Sequence, residues 1–207
     1  RIFYAASSLV FGSPDQELQD EVTPLNPLCI YGITKSNGIQ LCRYFREKHG
    51  IFASAGILFN HEGEYRGHEF VTRKISHHVA MIKCGLIQDF SLGDLSPKRD
   101  WGYAGDYVVA MHAMLQNPLG DDFVIATGET HSVREFVQLA LDIAELRDPL
   151  ETYVKFDQEM LRPSEVDLLV GDPGKALRQL GWQATTSFED LVRIMVENDL
   201  NLVKKAN

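Results

Sequence analysis

The chain has 207 residues, of which 44% are hydrophobic and 24% are charged, and its formal net charge is −9. This composition is typical of a soluble globular protein. The acidic balance argues against a general surface for nucleic acids or anionic membranes, because such surfaces need clustered Lys and Arg.

The chain opens with the apolar run "RIFYAASS", which predicts a strand over Ile2 to Ser7. A natural protein seldom starts inside a buried strand, so we expect a further N-terminal segment before it. A helix is predicted to start at the motif "YGITK" and to end near Gly50. A second strand is predicted over Ala53 to Phe59.

The middle of the chain predicts two more helices and a third strand. One helix fits Val71 to Lys83, and another runs from about Tyr107 to Leu115. The strand covers Phe123 to Thr127. The first of these helices has an apolar stripe of four residues at helical spacing, namely Val71, Ile75, Val79 and Ile82.

The last part of the chain predicts two helices and one irregular stretch. A helix follows Ser132, and Glu135 three residues later completes a capping box. The final helix follows Ser187. The stretch from Asp148 to Pro173 is predicted to be irregular, either covering a ligand site or forming a surface connection. Short apolar strands alternating with amphipathic helices predict an α/β fold with parallel strands covered on both faces.

The three cysteines, Cys29, Cys42 and Cys84, are odd in number, far apart and without metal-ligand spacing. This pattern predicts reduced thiols in a cytoplasmic protein and no metal site. No apolar run approaches the ~18 residues that a membrane span requires.

Tyr31 and Lys35 are four residues apart at a helix start, so both side chains project from one face. The pKa of a phenol in solution is ~10, and a nearby ammonium group lowers it by favouring the phenolate. A tyrosine in such a pair can take the proton from an alcohol while hydride leaves the same carbon. Ser7, at the end of the first strand, is placed to hold the reacting oxygen. The bare Y-x-x-x-K pattern also fits a surface tyrosine beside an unrelated lysine.

The Ser-Ser strand end, the Tyr-Lys pair and the α/β context together resemble the extended short-chain dehydrogenase/reductase superfamily, whose members act on nucleotide sugars. Four longer strings are similar to the GDP-mannose 4,6-dehydratase family and occur in that family's order. They are "GILFNHEGEYRGHEFVTRKIS" (56–76), "SLGDLSPKRDWGYAGDYVVAM" (91–111), "DFVIATGETHSVREFV" (122–137) and "RPSEVDLLVGDPGKALRQLGW" (162–182). The chain resembles the C-terminal two-thirds of such an enzyme, without the family's glycine-rich phosphate loop.

The resemblance implies a Rossmann-type doubly wound parallel sheet, lacking its N-terminal part, with a smaller α/β substrate-binding lobe. Residues 1–60 and 97–128 would belong to the NAD(P)-binding Rossmann domain. Residues 61–96 and 129–207 would form the sugar-nucleotide-binding lobe. The resemblance also implies a homodimer or homotetramer, often joined through a helix bundle that includes the Tyr31 helix.

The implied activity is that of an NADP-dependent lyase, which converts GDP-mannose to a 4-keto-6-deoxy product through transient oxidation at C4. NAD is an alternative cofactor, because the residues that read the ribose 2′ position fall in the expected preceding segment. The implied catalytic residues are Ser7, Tyr31 and Lys35. The implied cofactor-binding residues are Tyr31, Lys35, His61 and Arg66.

The implied partner is GDP-mannose or a related GDP-sugar, whose diphosphate calls for guanidinium groups that bind two oxygens each. Arg66, Arg73, Arg99 and Arg162 all lie in the matched strings. The positions implied to line the sugar-nucleotide pocket are Asn60, Val71, Lys74, Arg99, Arg162 and Glu165.

Leu9 departs from the family pattern. In the family, a glutamate two residues after the catalytic hydroxyl removes the C5 proton before water is lost from C6. Here the triplet is "SSL", so the hydroxyl of Ser7 remains and the carboxylate is replaced by Leu9. Because general acid–base groups contribute about 10²–10⁴-fold to a rate, this change bears on the elimination and leaves oxidation at C4 intact.

Three functions remain open on the sequence. The first is a dehydratase whose elimination uses another group, with Glu62 as a remote candidate. The second is an NAD(P)-dependent epimerase or ketoreductase that acts on a GDP-sugar. The third is a paralogue that binds a nucleotide sugar without turnover.

Overall fold

The computed structural model describes residues 1–160 and 169–206. Its helices within this range are α1 (Ile30–His49), α2 (Val71–Lys83), α3 (Ala104–Gln116), α4 (Val133–Ile143), α5 (Leu150–Tyr153), α6 (Gly174–Leu180) and α7 (Phe188–Ala206). Its strands are β1 (Ile2–Ala5), β2 (Ala53–Leu58), β3 (Asn60–Glu62), β4 (Phe90–Leu92), β5 (Lys98–Arg99), β6 (Trp101–Tyr103), β7 (Asp122–Ile125), β8 (His131–Ser132) and β9 (Val154–Phe156). The predicted α/β class is confirmed.

Two compact units divide the described chain. The first unit comprises residues 1–61, 99–130 and 169–185, and the second comprises residues 62–98, 131–160 and 186–206. The cofactor-binding and sugar-nucleotide-binding roles predicted for the two parts of the chain stay predictions.

A parallel sheet of order β1-β2-β7 forms the centre of the first unit. Side chains alternate across its two faces, as strand geometry requires. Ile57 and Val124 join a first core on one face, and Phe123 and Ile125 join a second core on the other. The predicted parallel strands covered on both faces are therefore confirmed, although β1 and β7 end two residues earlier than predicted.

Helix α1 covers the first core, where Ile39 and Cys42 are buried. It begins after Cys29, whose Sγ accepts a hydrogen bond from the Gly32 amide at 3.3 Å, and it ends at Gly50, which has the left-handed φ of 61° that glycine tolerates. These bounds confirm the predicted helix. Helix α3 covers the second core with Tyr107, Ala110 and Met114.

Helices α2, α4 and α7 pack on one another in the second unit. The predicted bounds of α2 and the capping box of α4, formed by Ser132 and Glu135, are both confirmed. Three residues of the stripe predicted on α2, Ile75, Val79 and Ile82, are buried, and Val71 at the start of the helix is 37% exposed.

A buried ion pair holds two of these helices together. A guanidinium nitrogen of Arg73 on α2 lies 2.7 Å from a carboxylate oxygen of Asp199 on α7, and the two side chains are 5% and 0% exposed. Ser76 donates a second hydrogen bond to Asp199, at 2.6 Å. The Asp199 carboxylate therefore has both a cation and a hydroxyl donor in the interior.

The stretch from Asp148 to Pro173 was predicted to be irregular, and its described part contains one short helix and one strand. Helix α5 leads into β9, which pairs in parallel with β4 in the register Phe90↔Val154. Pairing with a strand about sixty residues away is a tertiary contact, and local sequence patterns carry no signal for it.

No helix in the described part of the chain combines the length and apolar character needed to cross a lipid bilayer.

Candidate active site

Ser7 lies two residues after the end of β1 and caps a short 3₁₀ turn over Ser8–Val10. Its backbone is extended, with φ −149°, and its Oγ accepts a hydrogen bond from the Leu9 amide at 3.3 Å. The hydroxyl hydrogen remains able to donate, because this contact uses only a lone pair of the oxygen. Ser7 thus stands at the carboxyl end of a parallel strand, where α/β proteins bind their ligands.

Gly32 allows the Ser7 turn to lie directly against the first turn of α1. A Cβ atom at this position would be only 2.6 Å from the Leu9 carbonyl oxygen and 3.0 Å from Cβ of Pro27. No side chain fits in this space, so the glycine of the "YGITK" motif sets the distance between strand end and helix. Tyr31, the residue before Gly32, is held at the same junction.

Lys35 forms a second contact between α1 and β1. Its Nζ donates a hydrogen bond to the Ala5 carbonyl at 2.8 Å and lies 5.4 Å from the centroid of the Tyr31 ring. The Tyr31 side chain is 52% exposed. Residues 5–9 therefore contact residues 31–35 at two points, with the Leu9 carbonyl next to Gly32 and the Ala5 carbonyl bonded to Lys35. Ser7, Tyr31 and Lys35 all lie in these two segments.

Leu9 lies in the 3₁₀ turn and is partly buried against the first core. Its apolar side chain packs on this core and offers no group for proton transfer. The departure from the family pattern is thus accommodated in the fold.

Glu62 was the remote candidate to replace the missing carboxylate. It is 2% exposed, accepts a hydrogen bond from Thr72 Oγ1 at 2.6 Å, and lies 3.0 Å from Arg66 Nε. Burial raises the pKa of Glu62, while the Thr72 hydrogen bond and the Arg66 charge oppose that shift. These contacts within the second unit give Glu62 a structural role.

Two predicted cofactor residues that follow β2, His61 in β3 and Arg66, contact neighbouring protein groups. His61 donates from Nδ1 to the Phe59 carbonyl at 2.8 Å, and its ring stacks on Tyr107 at 5.1 Å. The guanidinium carbon of Arg66 lies 3.5 Å from the centroid of the Phe70 ring. Their predicted role in binding NADP stays a prediction.

The predicted sugar-nucleotide residues fall in three groups. Asn60 in β3 and Arg99 in β5 belong to the first unit, and burial lowers the pKa of Arg99. Val71 and Lys74 belong to α2 of the second unit, where Lys74 Nζ lies 3.2 Å from Met160 Sδ. Arg162 and Glu165 lie outside the described residues. The pocket assignment of all six positions stays a prediction.

Asp100 is a residue of this region that the sequence reasoning missed. It is 1% exposed and accepts four hydrogen bonds, from the Thr127 amide (2.9 Å) and Oγ1 (2.7 Å), the Gly128 amide (3.1 Å) and the Gly171 amide (3.2 Å). Burial raises the pKa of Asp100, and these four donors oppose that shift. The carboxylate fixes the loop after β7 and the chain at Gly171 next to Arg99. The signal available in the sequence was an acidic residue directly before the apolar Trp101 in "RDWG".

No three His, Cys, Asp or Glu side chains form a metal-binding group in residues 1–160 and 169–206. The arrangement at the end of β1 offers a hydroxyl, a half-exposed phenol and an ammonium. Among the described residues, Lys35 donates a hydrogen bond only to Ala5, which leaves two of its three N–H groups for a ligand. The hydroxyl and the ammonium can donate hydrogen bonds to an alcohol, and a tyrosine oxygen beside them can take its proton.

A model of the family "GDP-mannose 4,6 dehydratase" matches residues 1–195 of the chain. The chain is 43% identical to GDP-mannose 4,6 dehydratase of Dictyostelium discoideum, covering 100% of this chain and 62% of that protein. It is 45% identical to GDP-mannose 4,6 dehydratase 2 of Arabidopsis thaliana, covering 99% of this chain and 54% of that protein. The chain therefore spans between 54% and 62% of the length of these two curated relatives.

Solved structures with the same fold are less similar in sequence. RMD from Pseudomonas aeruginosa, complexed with NADPH, superposes with a TM-score of 0.87 at 21% identity, over 97% of this chain and 66% of that one. The dTDP-glucose 4,6-dehydratase of Bacillus anthracis, in complex with NAD, gives a TM-score of 0.80 at 18% identity, over 96% of this chain and 61% of that one. These likenesses support the Rossmann-type fold.

Proposed function

Because the chain belongs to the GDP-mannose 4,6-dehydratase family, we propose that it is part of an enzyme that converts GDP-mannose to GDP-4-keto-6-deoxy-mannose. The observation that carries this proposal is the contact of the Ser7 turn with the Tyr31 helix through Gly32 and Lys35. This contact supports a site in which Ser7, Tyr31 and Lys35 act together in alcohol oxidation.

Each of the three groups has one task in the proposed oxidation at sugar C4. The Ser7 hydroxyl donates a hydrogen bond to the reacting oxygen and fixes its position. Tyr31 removes the hydroxyl proton, and the Lys35 ammonium stabilises the phenolate that does so. A bound nicotinamide supplies the hydride acceptor at C4 and the hydride donor at C6. NADP is the proposed cofactor, with NAD as the alternative, and the proposed contacts to it are Tyr31, Lys35, His61 and Arg66.

The proposed substrate contacts are the six positions that the family resemblance implies. Arg99 and Arg162 supply guanidinium groups for the diphosphate of GDP-mannose, since a planar fork matches two phosphate oxygens. The remaining proposed contacts are Asn60, Val71, Lys74 and Glu165.

Leu9 favours a second candidate function, an epimerase or ketoreductase that acts on a GDP-sugar. Oxidation at C4 needs Ser7, Tyr31 and Lys35, whereas elimination of water from C6 also needs a base at C5. A leucine packed on the core cannot supply that base. A chain that only binds a nucleotide sugar is the remaining alternative.

We also propose that the enzyme is a homodimer or homotetramer joined through α1 and α3. Both helices expose apolar side chains although they cover the sheet, and unpaired apolar surface of this kind favours association. The exposed apolar residues in the middle of these helices are Leu41, Tyr44, Phe45, Val108 and Val109. Sedimentation of the full-length protein should give an oligomer, and Leu41→Glu should shift it towards the monomer.

One experiment separates the three functions. The full-length protein is incubated with NADP and GDP-mannose, and the sugar product is identified by NMR. A 4-keto-6-deoxy sugar supports the dehydratase, and a new hexose epimer or a reduced sugar supports the second candidate. Calorimetric binding with an unchanged sugar supports the binding paralogue. Absence of both binding and turnover with either NADP or NAD rejects all three.

A further inference from the structure

Lys35 has a second aromatic neighbour, Tyr4 of β1. The Lys35 Nζ lies 5.5 Å from the centroid of the Tyr4 ring and 5.4 Å from that of Tyr31. Both distances fall within the ~6 Å over which a cation is attracted to the face of an aromatic ring. Together with the hydrogen bond to Ala5, the two rings restrict the positions that the ammonium can occupy.

The Tyr4 ring is itself held by the helix. Its hydroxyl donates a hydrogen bond to the Thr34 carbonyl at 3.3 Å, and the ring packs against the first core. A Cβ atom on Gly38 would lie 2.0 Å from Cζ of Tyr4, so the ring rests directly on the helix backbone. The Tyr4 ring is therefore fixed against α1, close to Lys35.

Tyr4 is suited to support this pair without competing as a base. Burial raises the pKa of the Tyr4 phenol, and the neighbouring Cys42 and Tyr31 raise it further. The ring consequently stays neutral around pH 7. Its contribution to Lys35 is the electron-rich face of the ring rather than a charge.

We propose that Tyr4 is a positioning residue, whose ring holds the Lys35 ammonium beside Tyr31. The kinetic consequence rests on the proposed alcohol oxidation, because only turnover needs the ammonium at that place. The placement itself is a property of this chain and can be measured without substrate.

The test compares three variants of the full-length protein: Tyr4→Leu, Tyr4→Phe and Phe3→Leu. Tyr4→Phe keeps the ring and loses only the hydroxyl. Phe3→Leu is the matched control, because Phe3 is the adjacent aromatic residue of β1 and packs against the second core on the opposite face.

The kinetic readout is kcat/KM as a function of pH. Tyr4→Leu should lower kcat by about tenfold at neutral pH and move the rising limb of the profile to higher pH, since a displaced ammonium stabilises the phenolate less. Tyr4→Phe and Phe3→Leu should leave the position of that limb unchanged. A change in packing alone lowers the rate without moving the profile.

The second readout is the rate at which acetic anhydride acetylates Lys35, followed by mass spectrometry without substrate. Loss of the ring should make this reaction at least about threefold faster, while the other two variants should match the wild type. The inference is overturned if Tyr4→Leu and Phe3→Leu agree in both readouts. If no variant and no wild-type protein turns over GDP-mannose but acetylation is accelerated in Tyr4→Leu, the proposed function fails and the positioning role of Tyr4 stands.

Discussion

Two charged regions of this chain, the Tyr31–Lys35 edge and the Arg73–Asp199 pair, are built in opposite ways. At the edge, Tyr31 is half exposed, and the Lys35 ammonium contacts a carbonyl oxygen and two rings. In the pair, both ions are buried, and Asp199 is further hydrogen-bonded by Ser76. The difference is one of solvent access: the groups at the edge remain accessible, while the charges of the pair between α2 and α7 are removed from water. Changes at the edge should therefore alter rate, and changes at the pair should alter stability.

The largest effect is expected at Tyr31. Tyr31→Phe removes the proposed base and should lower the rate of hydride transfer by about 10²–10⁴-fold. The free energy of unfolding should stay close to that of the wild type, because the hydroxyl belongs to a half-exposed side chain. Both quantities can be measured on the full-length protein, by product formation and by urea unfolding.

The matched control is Tyr44→Phe, which makes the same change at a tyrosine of α1 that is 51% exposed. It should leave the rate unchanged. Full activity in Tyr31→Phe would show that the edge is not the catalytic centre.

The second prediction concerns the contribution of the buried Arg73–Asp199 pair to stability. Arg73→Met leaves the Asp199 carboxylate without its cation in the interior, which should lower the free energy of unfolding by about 3–5 kcal/mol. Urea unfolding of the full-length protein measures this loss. Lys83→Met on the same helix is the control, because its ion pair with Glu145 is long, at 3.5 Å, and exposed. That control should cost less than about 1 kcal/mol, and equal losses in the two variants would contradict the comparison.

Gly32→Ala tests whether the packing of the Ser7 turn on α1 affects the rate, because it adds a methyl group between them. The new Cβ would lie 2.6 Å from the Leu9 carbonyl, so the Ser7 turn or the helix must shift. We expect a loss of about 1–3 kcal/mol in stability, as for other overpacked sites, together with a reduced rate, because Ser7 moves relative to Tyr31.

Unfolding and kinetics should both be measured for Gly32→Ala, with Asn37→Ala as an exposed control on α1. Wild-type kinetics in a folded Gly32→Ala protein would show that the close approach of turn and helix is not needed for activity.

The smallest effect concerns the α4 capping box and depends on pH. The amide and hydroxyl of Ser132 donate to Glu135 and lower the pKa of that carboxyl. A depressed carboxyl pKa stabilises the folded state above the usual pKa of glutamate, and this contribution is lost as the pH falls through the folded-state pKa. Glu135→Gln should therefore cost about 0.5 kcal/mol at pH 7, a modest value because the side chain is half exposed.

The difference in the free energy of unfolding between Glu135→Gln and the wild type should become smaller when unfolding is measured at progressively more acidic pH. The exposed Glu129→Gln should show no such gap at any pH. A gap for Glu135→Gln that is constant with pH would show that the charge of the carboxylate does not contribute.

Much of the fold could be predicted because its signals are local. The capping box at Ser132, the bounds of α2 and the end of α1 at Gly50 were confirmed. The family resemblance drawn from four long strings was confirmed by the family model and the curated relatives. Strand β9 was not predicted, because its pairing with β4 depends on a distant part of the chain.

The sequence by itself determined which functional groups this protein carries: a serine near a strand end, a tyrosine and a lysine one helical turn apart, and a leucine where the family pattern has a glutamate. Only the tertiary structure decided how these groups are held. It showed the Leu9 carbonyl against Gly32, the Tyr4 ring against Gly38, and four amide and hydroxyl donors from separate segments on Asp100. Residue types and helical spacing can be read along the chain, but close approach and shared hydrogen bonds arise only when remote segments pack together.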